Sequence, residues 1–512
     1  MSIAVPRRVV GSVLGSSFRV VGIVAIALST MAHVGSPNVF FEGSAGPYAV
    51  RVVVRPPQVV PGQAEVVVRT TALEVQGVLV RPVFWRTGVA GAPAGDAARP
   101  VVGEPGTYSG TLWLMSRGAY SVYVTVRGAR GSGTVIVPVM SVATARLGFT
   151  RPLAITLTLF GALLFAGLVT IVYAASGEAL ARPDADPGRA GRRRARVIAT
   201  ASVPVIAILV FGGARWWEAV DRDYQATIYR PLAGITTLQS VGARIVLTFA
   251  VRDTTGGGAA VPVDPILPDH GKLMHLFLIR DSAPEAFAHL HPVEGRPMTF
   301  STSLPPLPAG RYRLFADLVF ETGAEQTVTG LVDLSTIPLQ GAASDPDDAW
   351  SIDDRAAPIA EQAADTLGDG SVMVWSGPAG PIAAGRDIDL RFDVRDRTGA
   401  PASIEPYMGM AAHAALVRDD GSVFVHLHPM GTASAAAQQA FVLRDRGDTT
   451  PRGRLAMRDS EASRADRAGM AMPMSGSLSF PYAFPKPGRY LLWIQVKRGG
   501  RILTAPFSVV VQ

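Results

Sequence analysis

The sequence predicts an all-β protein of three small sandwiches joined to transmembrane α-helices. Three observations carry that prediction. Short alternating runs such as YAVRVVVRP, QAEVVVR, GTLWLM and AYSVYVTVRG are separated by Gly and Pro clusters, at roughly the 8 to 12 residue spacing of sandwich domains. A Gly-x-Tyr strand recurs as GAYSVYVTV at Gly118, GRYRLFADL at Gly310 and GRYLLWIQV at Gly488, each followed by a turn and another strand. Two long uncharged stretches interrupt this pattern, and 48% hydrophobic against 17% charged residues in a chain of 512 places it outside ordinary soluble composition.

Taken in order, residues 1–34 read as a signal peptide or membrane anchor. The apolar run VVGIVAIALSTMA follows Arg7, Arg8 and Arg19 and ends in small residues. Cleavage after Ala32 would leave His33 as an N-terminal chelator; an uncleaved anchor would leave it an ordinary loop residue. Residues 35–148 form the first sandwich. Residues 149–176 form a transmembrane helix, uncharged over 152–175. A loop at 177–196, containing RPDADPGRAGRRRAR, joins it to a second span at 197–217, uncharged over 197–214 and followed by Trp216 and Trp217. Residues 218–338 form the second sandwich, 339–368 an acidic, alanine-rich linker, and 369–512 the third sandwich with a flexible insertion at 433–470.

Arginine placement sets orientation. The loop carries Arg182, Arg189, Arg192, Arg193, Arg194 and Arg196, so the positive-inside rule makes it cytoplasmic and puts the large flanking regions on the extracytoplasmic side of the cell membrane. The lipid bilayer is thus one partner. All but three of the 48 basic residues are arginine, the densest basic run is this topogenic loop, and nucleic-acid motifs are absent, so nucleic acid is not an expected partner. With no cysteine, disulfides and thiolate ligands are excluded.

The chemistry-bearing signal is histidine. Of eight in the chain, all but His33 fall in the windows 270–291 and 413–428, and both windows contain HLHP. HAALVRDDGSVFVHLHP reads as a hairpin with Asp420-Gly421 as its two-residue turn. Counting outward from that turn, His413 stands across from His428, and His426 shares their sheet face. HLFLIRDSAPEAFAHLHP repeats the layout with His275, His289 and His291. Cross-strand Cβ atoms about 5 Å apart let three imidazoles converge on one ion.

Five residues upstream of the first-strand histidine stand His270 in one copy and Met408 in the other. Met298 in RPMTF and Met472 and Met474 in GMAMPMSGSLSF are further candidate thioether ligands, with Met470, Met410 and Met274 near them. A His and Met set without Cys suits copper, with zinc as the alternative. A methionine at any of these positions can equally fill a core, and a strand histidine can be a surface or core residue. The first sandwich is the internal comparison: it has the Gly-x-Tyr strand without the histidines, so the fold itself does not require them.

At HAALVRDDGSVFVHLHP, preceded by EPYMGM, the sequence resembles bacterial extracytoplasmic immunoglobulin-like domains of the YtkA-like and FixH-like type, and more loosely CopC-like copper-resistance proteins. The resemblance covers the third sandwich best, the second well and the first only as a sandwich. It implies immunoglobulin-like folds for all three and periplasmic copper binding by His413, His426 and His428. Membrane helices and tandem modules depart from that pattern.

The expected function is therefore a membrane-anchored extracytoplasmic copper-binding protein with one site in each histidine-bearing domain. It would buffer the ion or pass it to or from an envelope protein. The alternatives are a zinc enzyme, for which Glu405 and Asp264 are the recurrent carboxylates, and a structural or adhesive envelope protein. No nucleophile motif, phosphate loop or nucleotide fingerprint is present, so no catalytic or organic-cofactor residues are assigned.

Overall fold

The computed structural model describes residues 38–72, 74–179, 186–253, 265–281, 286–335, 344–352, 357–359, 363–378, 380–449, 455 and 474–512. Residues 1–34, including His33, lie outside them, as do Asp264, Met470 and Met472. The chain divides into two compact units: Met1–Val142 with Arg230–Gln512, which carries the β-structure, and Ala143–Tyr229.

The smaller unit is a helical hairpin, Arg151–Glu178 and Arg189–Ala226. Its 28-residue first helix spans about 42 Å at 1.5 Å per residue, longer than the roughly 30 Å hydrocarbon layer. Leu153, Ile155, Phe160, Leu163 and Ile171 along it are exposed. Both helices are long and apolar enough to cross a membrane. The boundaries differ from the sequence expectation. Arg189, Arg192, Arg193, Arg194 and Arg196, expected in a loop, form the first turns of the second helix. Arg194 Nε there donates to the Ser176 carbonyl at the end of the first helix, 2.9 Å away, as basic side chains do at helix C-termini.

In the larger unit, the first eight strands form one sheet between Val39 and Ser141, whose first and last strands meet as it wraps a valine-rich core. Phe40, Val53 and Val67 point the other way and pack into the core of the third region. That two-sided burial explains why YAVRVVVR is nearly continuous in apolar residues rather than alternating. The second region is a ten-stranded sheet around Phe249, Leu276, Leu278, Phe300 and Leu314. The third packs a five-stranded sheet on a four-stranded one, with Leu390 and Phe392 of one facing Leu416 and Leu492 of the other.

The three Gly-x-Tyr segments are equivalent strands, Gly118–Gly128, Gly310–Phe320 and Gly488–Arg498, each paired with the strand that follows. Each opens on a glycine with φ of 123°, 147° or 138°, a backbone region closed to side chains bearing Cβ. Each tyrosine hydroxyl reaches the backbone four residues upstream. Tyr312 donates to Pro308 and Tyr490 to Lys486, both at 2.7 Å, while Tyr120 accepts from Ser116 N–H at 3.0 Å.

The described residues of two segments expected to be loose are built into the fold. In the linker, Ala349–Ile352 pairs with Ala286–Leu290, and Ala357–Pro358 pairs with Arg501–Val511, so it is hydrogen-bonded into both neighbouring sheets. In the insertion, Ala435–Asp445 is a helix whose N-cap Ser434 accepts from Ala437 N–H. It buries Ala437, Ala440 and Leu443 against Leu267 and Val319 of the second region.

A candidate metal centre between two sheets

Strand His275–Arg280 lies between Ala286–Leu290 and Gly310–Phe320, and strand His413–Arg418 lies between Phe424–Leu427 and Gly488–Arg498. In the third region the register pairs Ala414 with Leu427, so one step further sets His413 against His428. In the second, Leu276 pairs with Leu290, which sets His275 against His291.

Period-2 alternation then sorts the side chains. Leu276 and Leu278, like Ala414 and Leu416, enter their own cores. Phe277 and Ile279, like Ala415 and Val417, point outward, and these two outward faces pack on each other through a single apolar layer. Phe287 of the second region stacks on Trp493 of the third at 4.7 Å, and Phe424 of the third stacks on Phe315 of the second at 4.3 Å. The partners exchange as a local two-fold relation between the repeats requires.

The histidines occupy the same faces, one step along. All seven therefore meet in one place, where the sets expected one per domain face each other across the layer between the two sheets. Rings within a repeat do adjoin: centroids lie 5.0 Å apart for His413 and His428, 4.4 Å for His426 and His428, and 4.6 Å for His289 and His291. The nitrogens, however, group across the repeats. His270 joins His413 and His428, and His426 joins His275 and His289, with the ligand atoms of each set within 4.8 Å of one another.

His270 enters from a tight turn. Asp269 and Lys272 exchange both backbone hydrogen bonds around His270 and Gly271, which have φ of 51° and 79°. Tyr407 and Met410 do the same around Met408 and Gly409, at 48° and 78°. Positive φ at both central positions is the type I′ signature, and holding a histidine or methionine there is unfavourable backbone geometry in both repeats.

Acceptors outside the cluster orient several rings. Asp317 and Gln495 occupy equivalent places, across from His275 and His413 respectively, and each serves the other repeat. Gln495 Oε1 lies 2.8 Å from His289 Nδ1, and Asp317 Oδ2 lies 3.5 Å from His426 Nδ1. Asp348 Oδ1 accepts from both the backbone N–H and Nδ1 of His291, at 2.8 and 3.1 Å. This is the outer-acceptor arrangement that fixes the tautomer of metal-ligating histidines. Sequence reasoning missed these three residues. Asp317 and Gln495 could have been found as the eighth residue of each Gly-x-Tyr strand; Asp348 carried no local signal.

Burial is nearly complete: His289 and His413 are 0% exposed, His275 2%, and His291 and His428 3%. Burial first, then the neighbouring imidazoles, holds His275, His289, His413 and His426 well below the ordinary histidine range, and burial pushes His428 down to about 3. These five rings are thus neutral at neutral pH, the form that binds metal. Both nitrogens of His413 and of His428, and Nε2 of His270, His291 and His426, are buried without a hydrogen-bond partner among the described residues. A buried polar atom left unpaired costs on the order of 1–3 kcal/mol, so the cluster lacks the partner that a cation would supply.

A third set, His291 with Asp345 and Asp348, is also close enough to hold an ion. Its carboxylates are already taken up. Asp348 Oδ2 accepts from Ser344 and Asp345 N–H, and Asp345 pairs with Lys272. The set buttresses His291.

The methionine expectations fare differently. Met298 and Met274 pack inside the second core, where their apolar volume is used. Met474 lies in strand Met474–Ser475 against the third core. Met408 is buried at its turn, 5% exposed. Glu405 accepts from Gly500 N–H, fixing a loop.

A family model described as a domain of unknown function (DUF8832) matches residues 233–335 and 366–512, the two histidine-bearing repeats. No curated protein matches. Among solved structures, the chain is similar to a tetra-tandem repeat in the extending region of a large adhesion protein, at 10% identity and TM-score 0.14, covering 88% of this chain and 96% of that one. It is also similar to three N-terminal domains of the bacteriophage RB49 highly immunogenic outer capsid protein, at 9% identity and TM-score 0.12, covering 55% and 59%. A Corynebacterium diphtheriae protein described as membrane anchored has 8% identity and TM-score 0.13, covering 93% and 95%.

Proposed function

We propose that this is a membrane-anchored extracytoplasmic protein that binds copper between its second and third immunoglobulin-like domains and buffers or delivers it. The observation that carries the reading is the convergence of seven buried imidazoles, five of them with at least one unpaired nitrogen among the described residues. Nitrogen-only sites of this kind follow the divalent affinity order that peaks at copper. The tyrosine hydroxyls bonded four residues upstream support immunoglobulin-like folds for the three β-regions, and the resemblance to YtkA-like and FixH-like domains agrees with that assignment. The arginine cluster at the start of the second long helix supports a cytoplasmic hairpin turn and an extracytoplasmic β-unit.

Zinc is the second reading, favoured by the three-imidazole set of His270, His413 and His428, which leaves a fourth position for water. The test is metal analysis of the full chain purified in detergent, loaded separately with copper and zinc and then desalted. Stoichiometric copper, lost in a His426→Ala and His428→Ala double variant, is expected. Zinc retained with hydrolytic turnover would replace the carrier reading, and metal at background in the unaltered protein would overturn both.

A further inference from the structure

Resting on the metal-binding reading, we infer that the cluster is a single dinuclear centre in which two ions are each held by three imidazoles drawn from both repeats. The two sets share no residue: His270, His413 and His428 form one, and His275, His289 and His426 the other. They are not insulated from each other. His426 of one and His428 of the other lie 4.4 Å apart, and His413 is 5.4 Å from His426 and 6.4 Å from His275, so imidazoles alone separate the sets.

Proton placement shows that the second set is built for an ion and not for an internal hydrogen bond. His275 Nε2 lies 3.2 Å from the Asp269 carbonyl oxygen, which can only accept, so the ring proton sits there and Nδ1 is a lone pair. That Nδ1 faces His289 Nε2 at 3.1 Å. Gln495 Nε2 donates to Thr504 Oγ1 at 3.2 Å, which turns Gln495 Oε1 toward His289 Nδ1 and draws the second ring's proton outward too. Two lone pairs then face each other, which is repulsive until a cation lies between them. Two metal–nitrogen bonds of about 2.0–2.1 Å meeting near the tetrahedral angle span about 3.3 Å, close to the separation found. His426 Nε2, buried and unpaired among the described residues, is the third donor.

The first set is more exposed to the same argument, because His413 and His428 have no hydrogen bond at either nitrogen among the described residues. His291 supplies a seventh ring. Asp348 holds its Nδ1 and leaves Nε2 unpaired among the described residues, with ring centroids 5.1 and 4.6 Å from His275 and His289. It borders the second set without belonging to either three-imidazole group. Since each set mixes the repeats, each ion also cross-links the second domain to the third.

The test uses the full chain in detergent loaded with Cu(II), read by metal stoichiometry and by spin-quantified electron paramagnetic resonance. Two coppers per chain with most of the expected spin intensity missing, through coupling of neighbouring ions, is the expected result. His270→Gln and His289→Gln should each retain one copper with its full mononuclear signal, while near-ultraviolet circular dichroism stays native. Two coppers giving two full, uncoupled signals overturns the shared centre, as does one copper in the unaltered protein or two in His270→Gln. In those cases metal binding itself stands. Zero copper overturns both inferences together.

Discussion

The two histidine hairpins share register, strand order and ring positions, yet their environments differ. In the second domain His275, His289 and His291 each have a protein acceptor: the Asp269 carbonyl, Gln495 and Asp348. In the third, His413 and His428 have none at either nitrogen among the described residues, and only His426 approaches a carboxylate, Asp317. One hairpin is therefore organised by protein hydrogen bonds before any ion arrives, while the other is left short of partners. Pre-organisation lowers the cost of binding at one set, and unmet polar groups raise the gain at the other.

The largest effects should come from the apolar layer that holds the hairpins together, where the repeats are alike. Phe287 and Phe424 occupy equivalent positions, each 0% exposed and each stacked on an aromatic ring of the other domain. Truncation to alanine at either should cost about 3–5 kcal/mol in metal-free denaturant unfolding. Values differing by more than about half between the two would break the two-fold relation. Asp348→Ala comes next, because it strips the acceptor from His291 N–H, His291 Nδ1, Ser344 N–H and Asp345 N–H at once. A loss on the order of 3 kcal/mol is expected. The third domain offers no matching carboxylate beside His428 among the described residues.

Replacing one imidazole in each hairpin by leucine tests the contrast itself. His413→Leu removes two unpaired buried nitrogens and should stabilise the metal-free protein by about 1–3 kcal/mol while abolishing one bound ion. His275→Leu instead breaks the hydrogen bond from the ring to the Asp269 carbonyl, and should destabilise by on the order of 1 kcal/mol. Equal signs for the two variants, measured by chemical unfolding in chelator, would remove the distinction between organised and unsatisfied hairpins.

Much of each hairpin was legible in sequence because local rules determine it. Period 2 sets the face, and the register counted from Asp420-Gly421 does place His413 opposite His428, although the turn itself is closed by Gly421 N–H on the Arg418 carbonyl rather than around Asp420-Gly421 as a two-residue loop. The pairing of hairpins was not legible, because the residues that create it are read differently in isolation. Phe277, Phe287, Phe315 and Trp493 look like core residues of single sandwiches, whereas they form a layer between two. The same holds for Asp317 and Gln495, whose partners lie across that layer. The linker misled because an acidic, alanine-rich stretch resembles a spacer, while Asp348 within it satisfies a cluster of backbone donors that composition does not reveal.

The smallest effect separates the domains by pH. Burial pushes Glu325 of the second domain up to about 8, although Ser434 N–H favours its charged form. Its contribution is thus fully present below its usual 4.5 and is lost as pH rises through about 8. His428 of the third domain has the opposite sign. Its contribution is full above the usual 6.5 and is lost as pH falls toward about 3, because the unfolded chain takes up the proton that the buried ring refuses. From these two groups, metal-free stability should therefore be level between about pH 4.5 and 6.5, where their slopes cancel, and should fall below and above that window. Glu325→Gln keeps an amide oxygen for Ser434 N–H and should lessen the fall on the alkaline side, where Asp317, pushed up by burial to about 7, still contributes, while His428→Gln should lessen the fall on the acid side. A variant that moved both sides together would mean that the two domains titrate as one unit, and that the asymmetry between the hairpins does not reach their stability.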